Sequence, residues 1–152
     1  MNLNNFTLKS QQAIQQAQNL ALGKEHQSIE CGHLVKGIMD EDDSVTPFLL
    51  KKMNVNVNLF TKTLEKIIES YPKVSGGGQQ YLSSTANQAI AKAQNFAKEF
   101  KDEYVSIEHL LLGIFSVKDS VSQMMKDSGI TEKDLKAAIT ELRKGERVTS
   151  AS

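Results

Sequence analysis

Apolar positions near the start of the chain recur at steps of three and four. Ser10, Ala13, Ile14, Ala17, Leu20 and Ala21 fall on one face of a helix that Thr7 can cap and that Gly23 is placed to stop in a left-handed conformation. A second helix follows over about 31–39, with Leu34 and Ile38 inward. Thr46-Pro47 reads as a cap and a first-turn proline opening a short helix to about Met53, and Asn56 caps a fourth with Phe60, Leu64, Ile67 and Ile68 inward. The same grammar then restarts, with caps at Ser83 or Ser84, Ser106, Asp119 or Ser120, and Thr131. No segment alternates apolar and polar residues for the length of a strand, so the pattern predicts an all-α chain of eight helices.

The restart is a duplication. Shifted by 76 residues, positions 12–38 and 88–114 share eleven identities in 27: Gln12/Gln88, Ala13/Ala89, Ile14/Ile90, Ala17/Ala93, Gln18/Gln94, Asn19/Asn95, Ala21/Ala97, His33/His109, Leu34/Leu110, Gly37/Gly113 and Ile38/Ile114. Chance supplies roughly one or two. The register then slips by one, pairing Val55 with Ile130, Phe60 with Leu135, Leu64 with Ile139 and Ile67 with Leu142. Two copies predict a pseudo-symmetric pair of four-helix units over 1–70 and 81–145, forming one globular domain, where a solenoid needs three or more repeats. Residues 71–80, with Pro72 and Gly76-Gly77-Gly78, read as a flexible connector.

Within the shared pattern H-L-x-x-G-I, Leu and Ile face inward beside the first helix of each unit. Gly37 and Gly113 each cost roughly 1 kcal/mol relative to Ala in a helix interior, so their repetition implies that another backbone passes close by. His33 and His109 have no second His or Cys one turn away, which argues against metal and for packed histidines whose ring nitrogens cap the helix start.

Charge and composition narrow the functional classes. Eighteen basic and eighteen acidic residues cancel, leaving no electrostatic case for nucleic acid or an anionic membrane. With 39% apolar residues, no signal peptide and no apolar run of spanning length, the chain reads as cytoplasmic. Cys31 is the sole cysteine and suits a buried position. The three glycines lack the Lys-Ser/Thr of a phosphate loop, no serine sits in a nucleophile elbow, and the acidic run at 40–43 reads as a solvated loop. No catalytic residue, metal or cofactor is therefore assigned. A binding module is favoured over an enzyme.

Several pieces resemble one family: NNFTLKSQQAIQQAQNLAL, the HL near residue 33, SVTPFLLKKMNVNV, YVSIEHLLLGI and the closing LRKGERV. Together they resemble, over nearly the whole chain, the amino-terminal domain of the Clp heat-shock ATPases. ALGKEHQSIE and RKGERV look most like the disaggregase branch. The resemblance implies eight helices in two pseudo-symmetric Clp repeats. It also implies that 146–152 begin a linker to two ATPase rings through which the parent protein would be hexameric, while this domain alone is monomeric. The partners implied are unfolded or aggregated polypeptides, whose apolar segments would enter a shallow surface groove.

The residues that the resemblance associates with that role are Thr7, Asp102 and Glu108, on the groove rim and exposed to ligand. Thr7 also suits a plain cap, and Glu108 a first-turn acid favoured by the helix dipole. Groove lining is sought among Leu82, Ile90, Tyr104 and Leu110, although each of them suits a core position better. One protease-coupled branch of the family, the ClpC type, carries a glutamate before the histidine in both repeats, a feature associated with phosphoarginine recognition. Here those positions are Gly32 and Glu108, which puts such recognition in doubt. The rival functional class is an adaptor-docking regulatory module.

Overall fold

The computed structural model describes residues 2–76 and 78–152. Gly77, inside the expected connector, lies outside the described residues. The first repeat comprises α1 (Leu8–Gly23), α2 (Cys31–Glu41), α3 (Val45–Lys52) and α4 (Val57–Glu69). The second comprises α5 (Ser84–Glu99), α6 (Ile107–Ser116), α7 (Ser120–Asp127) and α8 (Glu132–Arg143). Thr7, Asn56, Ser83, Asp119 and Thr131 each cap a helix by accepting the backbone N–H of the residue three positions on.

The repeated glycines do what their cost implies. A Cβ on Gly37 would come closer than 3.0 Å to the Ala13 carbonyl and the Ala17 nitrogen, and one on Gly113 would meet Ala89 and Ala93 in the same way. Ala13, Ala17, Ala89 and Ala93 are fully or almost fully buried, so α1 meets α2, and α5 meets α6, backbone against backbone. Around these contacts one continuous core runs through both repeats, from Phe6, Leu34, Ile38, Leu49 and Leu64 to Leu112, Ile114, Leu135 and Ile139.

The helix-only expectation misses two short strands. β1 (Ser28–Ile29) pairs in parallel with β2 (Tyr81–Leu82), in the register Ser28 to Tyr81 and Ile29 to Leu82. Phe6 and Val105 form a further parallel bridge at the equivalent positions, 76 residues displaced. Each repeat thus lends the residues before its first helix to the loop before the other's second helix. Two residues leave no periodicity to read, and the pairing joins the backbones of the two repeats.

Three local readings also change. Gly23 is the last helical residue of α1, and the left-handed residue is Glu25 at φ 60°, matched by Lys101 at φ 60°. Helix α3 starts earlier than Thr46, with Ser44 as N-cap and Pro47 within its first turn. Its free amides are taken by Asp42, which accepts from Ser44, Val45 and Thr46. Asp42 is therefore buried, unlike the solvated neighbours Glu41 and Asp43. Burial alone would raise its carboxyl, but hydrogen bonds from the Thr46 hydroxyl and from these amides outweigh it and hold the pKa below the usual value. Cys31 is buried, and burial with Asp119 nearby pushes its thiol up. Among the described residues, no helix is long and apolar enough to cross a membrane.

Candidate functional site

Ser106 caps α6, and His109 sits three residues in. The Ser106 N–H donates to His109 Nδ1 at 2.9 Å, which leaves the imidazole proton on Nε2, 2.7 Å from Asp102 Oδ2. Arg143, the last residue of α8, grips Asp102 with both terminal nitrogens at 2.9 Å and Glu108 through Nε at 2.7 Å. Its guanidinium also stands 5.8 Å from the centre of the Phe100 ring. Burial would raise the Asp102 carboxyl, but hydrogen bonds from Arg143, the Val148 N–H and His109 overcome it and hold the pKa low. Arg143 is pushed up, since Asp102 and Glu108 outweigh its own desolvation. His109 is pulled down by burial despite the acids beside it.

The first repeat builds the same corner from other materials. The Glu30 N–H donates to His33 Nδ1 at 2.9 Å, so His33 Nε2 carries the proton and points 2.9 Å away at His26 Nδ1. The remaining His26 nitrogen, Nε2, is buried without a partner. Tyr71 closes the corner: its ring is 5.1 Å from that of His33, and its hydroxyl accepts the Gly32 N–H at 3.2 Å. A Cβ on Gly32 would lie 2.6 Å from that hydroxyl. Burial, then the neighbouring His26, lowers the His33 pKa to about 4.

A groove runs along the seam between the repeats, one turn beyond the capped start of α1. Leu3, Ile14, Ile29 and Leu82 supply its apolar surface, Gln11, Gln15, Gln18 and Gln80 its polar edge, and Tyr81 stands beside it, 57% exposed. Its volume is about 320 Å³. A second, more apolar cleft of about 370 Å³ lies within the first repeat, between Met39, Pro47, Leu50, Val55 and Val57. Among the described residues no His, Cys, Asp and Glu cluster could hold a metal ion.

The expected rim residues are not exposed. Thr7 is 8% exposed and exchanges hydrogen bonds with Ser10, the Asp102 side chain is fully buried, and Glu108 is 4% exposed under Arg143. Ile90 and Leu110 are core residues, and Tyr104 is half-buried outside the groove lining. Of the expected lining, Leu82 alone is in the seam groove. Sequence reasoning missed Arg143, although it stands where the first repeat has Ile68 and so breaks the apolar match between the repeats. It also missed Gln11, Gln15 and Gln18, a glutamine stripe beside Ile14 at helical spacing.

Comparison with known proteins places this architecture. Residues 5–128 match the Clp repeat (R) N-terminal domain. All 152 residues align at 49% identity with the chaperone protein ClpB of Bacteroides thetaiotaomicron and at 46% with that of Porphyromonas gingivalis, covering 18% of each relative's length. Among solved structures, the Hsp104 N-terminal domain from Candida albicans superposes with a TM-score of 0.85 at 21% identity, covering 98% of both chains. The N-terminal domain of ClpD from Arabidopsis thaliana gives 0.70 at 22%, covering 95% of this chain and 98% of that one.

Proposed function

The chain belongs to the Clp repeat (R) N-terminal domain family and aligns along its whole length with ClpB chaperones, and from that membership we propose that it recruits unfolded or aggregated polypeptides by seating their exposed apolar segments in the seam groove. The observation that carries this reading is the groove's mixed composition: the apolar side chains of Leu3, Ile14 and Leu82 stand among glutamines whose amides can both donate to and accept from an extended backbone. Apolar burial at roughly 25 cal/mol per Å², less the cost of ordering the client, gives weak binding suited to passing a ligand onward. Thr7 serves the groove by fixing the start of α1, and Asp102 and Glu108 serve the fold around it by holding Arg143 at the end of α8. Ile90, Tyr104 and Leu110 support the groove from the surrounding packing. The chain spans about a fifth of its curated relatives' length. ATP-driven disaggregation, hexameric assembly and cytoplasmic residence belong to the same proposal, at the level of the parent protein, with this domain itself non-catalytic and monomeric.

The test is an amide-shift titration with reduced, carboxymethylated α-lactalbumin, an unfolded chain. Saturable shifts centred on Ile14, Gln18 and Leu82 are expected, with a dissociation constant that is micromolar or weaker, and Leu82→Asp should abolish them while retaining helical content. Shifts confined to other surfaces, or none, would overturn the reading.

A further inference from the structure

Beyond α8 the chain doubles back. Arg143 ends the helix, and Lys144 and Gly145 then take left-handed conformations at φ 49° and 90°, forming a reversal hinge. Residues after the hinge dock by backbone. The Val148 N–H donates to Asp102 Oδ1 at 2.9 Å, the Glu103 N–H donates to the Val148 carbonyl at 2.8 Å, and the Leu8 N–H donates to the Ala151 carbonyl at 2.7 Å. That last donor is one of the amides that a helix start leaves without an internal partner.

We propose that residues 144–152 are a displaceable strap, filling in the free chain a track beside Leu8, one helical turn before the groove residue Gln11, that a client segment seated in the seam groove takes over where it extends past the start of α1. This rests on the recruiting reading above. Two features make the track suit a foreign backbone. Its contacts with the strap are main-chain hydrogen bonds, which do not depend on the strap's sequence. Leu8, beside Ala151, is also left 52% exposed, an apolar side chain that the strap does not cover. The strap anchors only Val148 and Ala151, both half-buried and three residues apart, while 144–147, 149, 150 and 152 are exposed. A client with larger apolar side chains at that spacing covers surface that valine and alanine leave wet, and displaces the strap. Attachment by three main-chain-mediated hydrogen bonds, with no fully buried strap side chain, opens more readily than Arg143 just before the hinge, which is held by two carboxylates.

Amide hydrogen exchange of Val148 in the unaltered chain, with and without reduced, carboxymethylated α-lactalbumin, tests this. Exchange at Val148 should accelerate at least several-fold in the complex. The variant Val148→Pro, which removes the N–H given to Asp102, should bind the same probe several-fold more tightly, and a peptide of residues 144–152 added in trans should reverse the gain. Should the variant fold poorly, the exchange measurement on the unaltered chain decides alone. Binding with Val148 still protected and no gain from Val148→Pro overturns the strap and leaves the recruiting reading intact. No binding by either protein overturns both.

Discussion

At the corner where each repeat's second helix begins, four positions related by the duplication carry different chemistry. His26, Gly32, His33 and Ile68 in the first repeat stand where Asp102, Glu108, His109 and Arg143 stand in the second. Each histidine performs the same capping act, accepting the N–H of its own N-cap residue at 2.9 Å. Beyond that shared bond one repeat fills the corner with an aromatic stack of His26, His33 and Tyr71, and the other with a nearly dry arginine between two acids. The backbone asks only for a plug and a helix cap. Which plug is used decides what else the corner can hold: the ionic one presents Asp102 Oδ1 to Val148, while beside the aromatic one the Val74 N–H donates to the Glu25 carbonyl, backbone to backbone.

The two plugs should break differently. The largest effect is expected for Arg143→Met, which leaves Asp102 and Glu108 buried without their counter-charge and should cost about 3–5 kcal/mol in urea unfolding. The matching change in the first repeat, Ile68→Met, removes no charge and should cost less than about 1.5 kcal/mol. Equal losses would show that the ion network is not what holds the second corner.

Acid separates the repeats next. His33 has a folded pKa of about 4 against an ordinary value of 6.5, so the unfolded chain binds the extra proton and stability falls as pH drops from about 6.5 through 4. Asp102 is held below its ordinary 3.8, so its contribution persists until the pH falls beneath that value. His109 is also lowered and adds to the earlier loss, but with Asp102 and Glu108 opposing it. Between pH 6 and 4.5, hydrogen exchange should therefore accelerate more in α2 than in α6. His26→Asp, which gives His33 the partner His109 has, should raise the His33 pKa, as read from its ring protons.

Smaller effects probe what the repeats share. Ala17→Leu and Ala93→Leu thicken the close helix contacts and should each cost about 1–3 kcal/mol, by similar amounts. A neutral thermal shift for both would remove the backbone-to-backbone account of α1 with α2 and α5 with α6. Smallest is Tyr71→Phe, which frees the Gly32 N–H and should cost about 1 kcal/mol without disturbing the second repeat's hydrogen exchange.

The sequence by itself determined the duplication, the eight helices and most caps, because these rest on local periodicity and on side chains reaching amides two or three residues away. Gly37 and Gly113 even announced a backbone contact, since a repeated helix-interior glycine has no local use. Only the tertiary structure decided that Glu108 and Asp102 face Arg143 inside the protein instead of a ligand outside it. An acid in a first helical turn looks the same in sequence whether water or a guanidinium lies beyond it, and here the guanidinium comes from 35 residues on. The same holds for the exchanged strands and the seam groove. Their partners, Ile29 with Leu82 and Phe6 with Val105, belong to different repeats, and no periodicity within either one records which surface the other will cover.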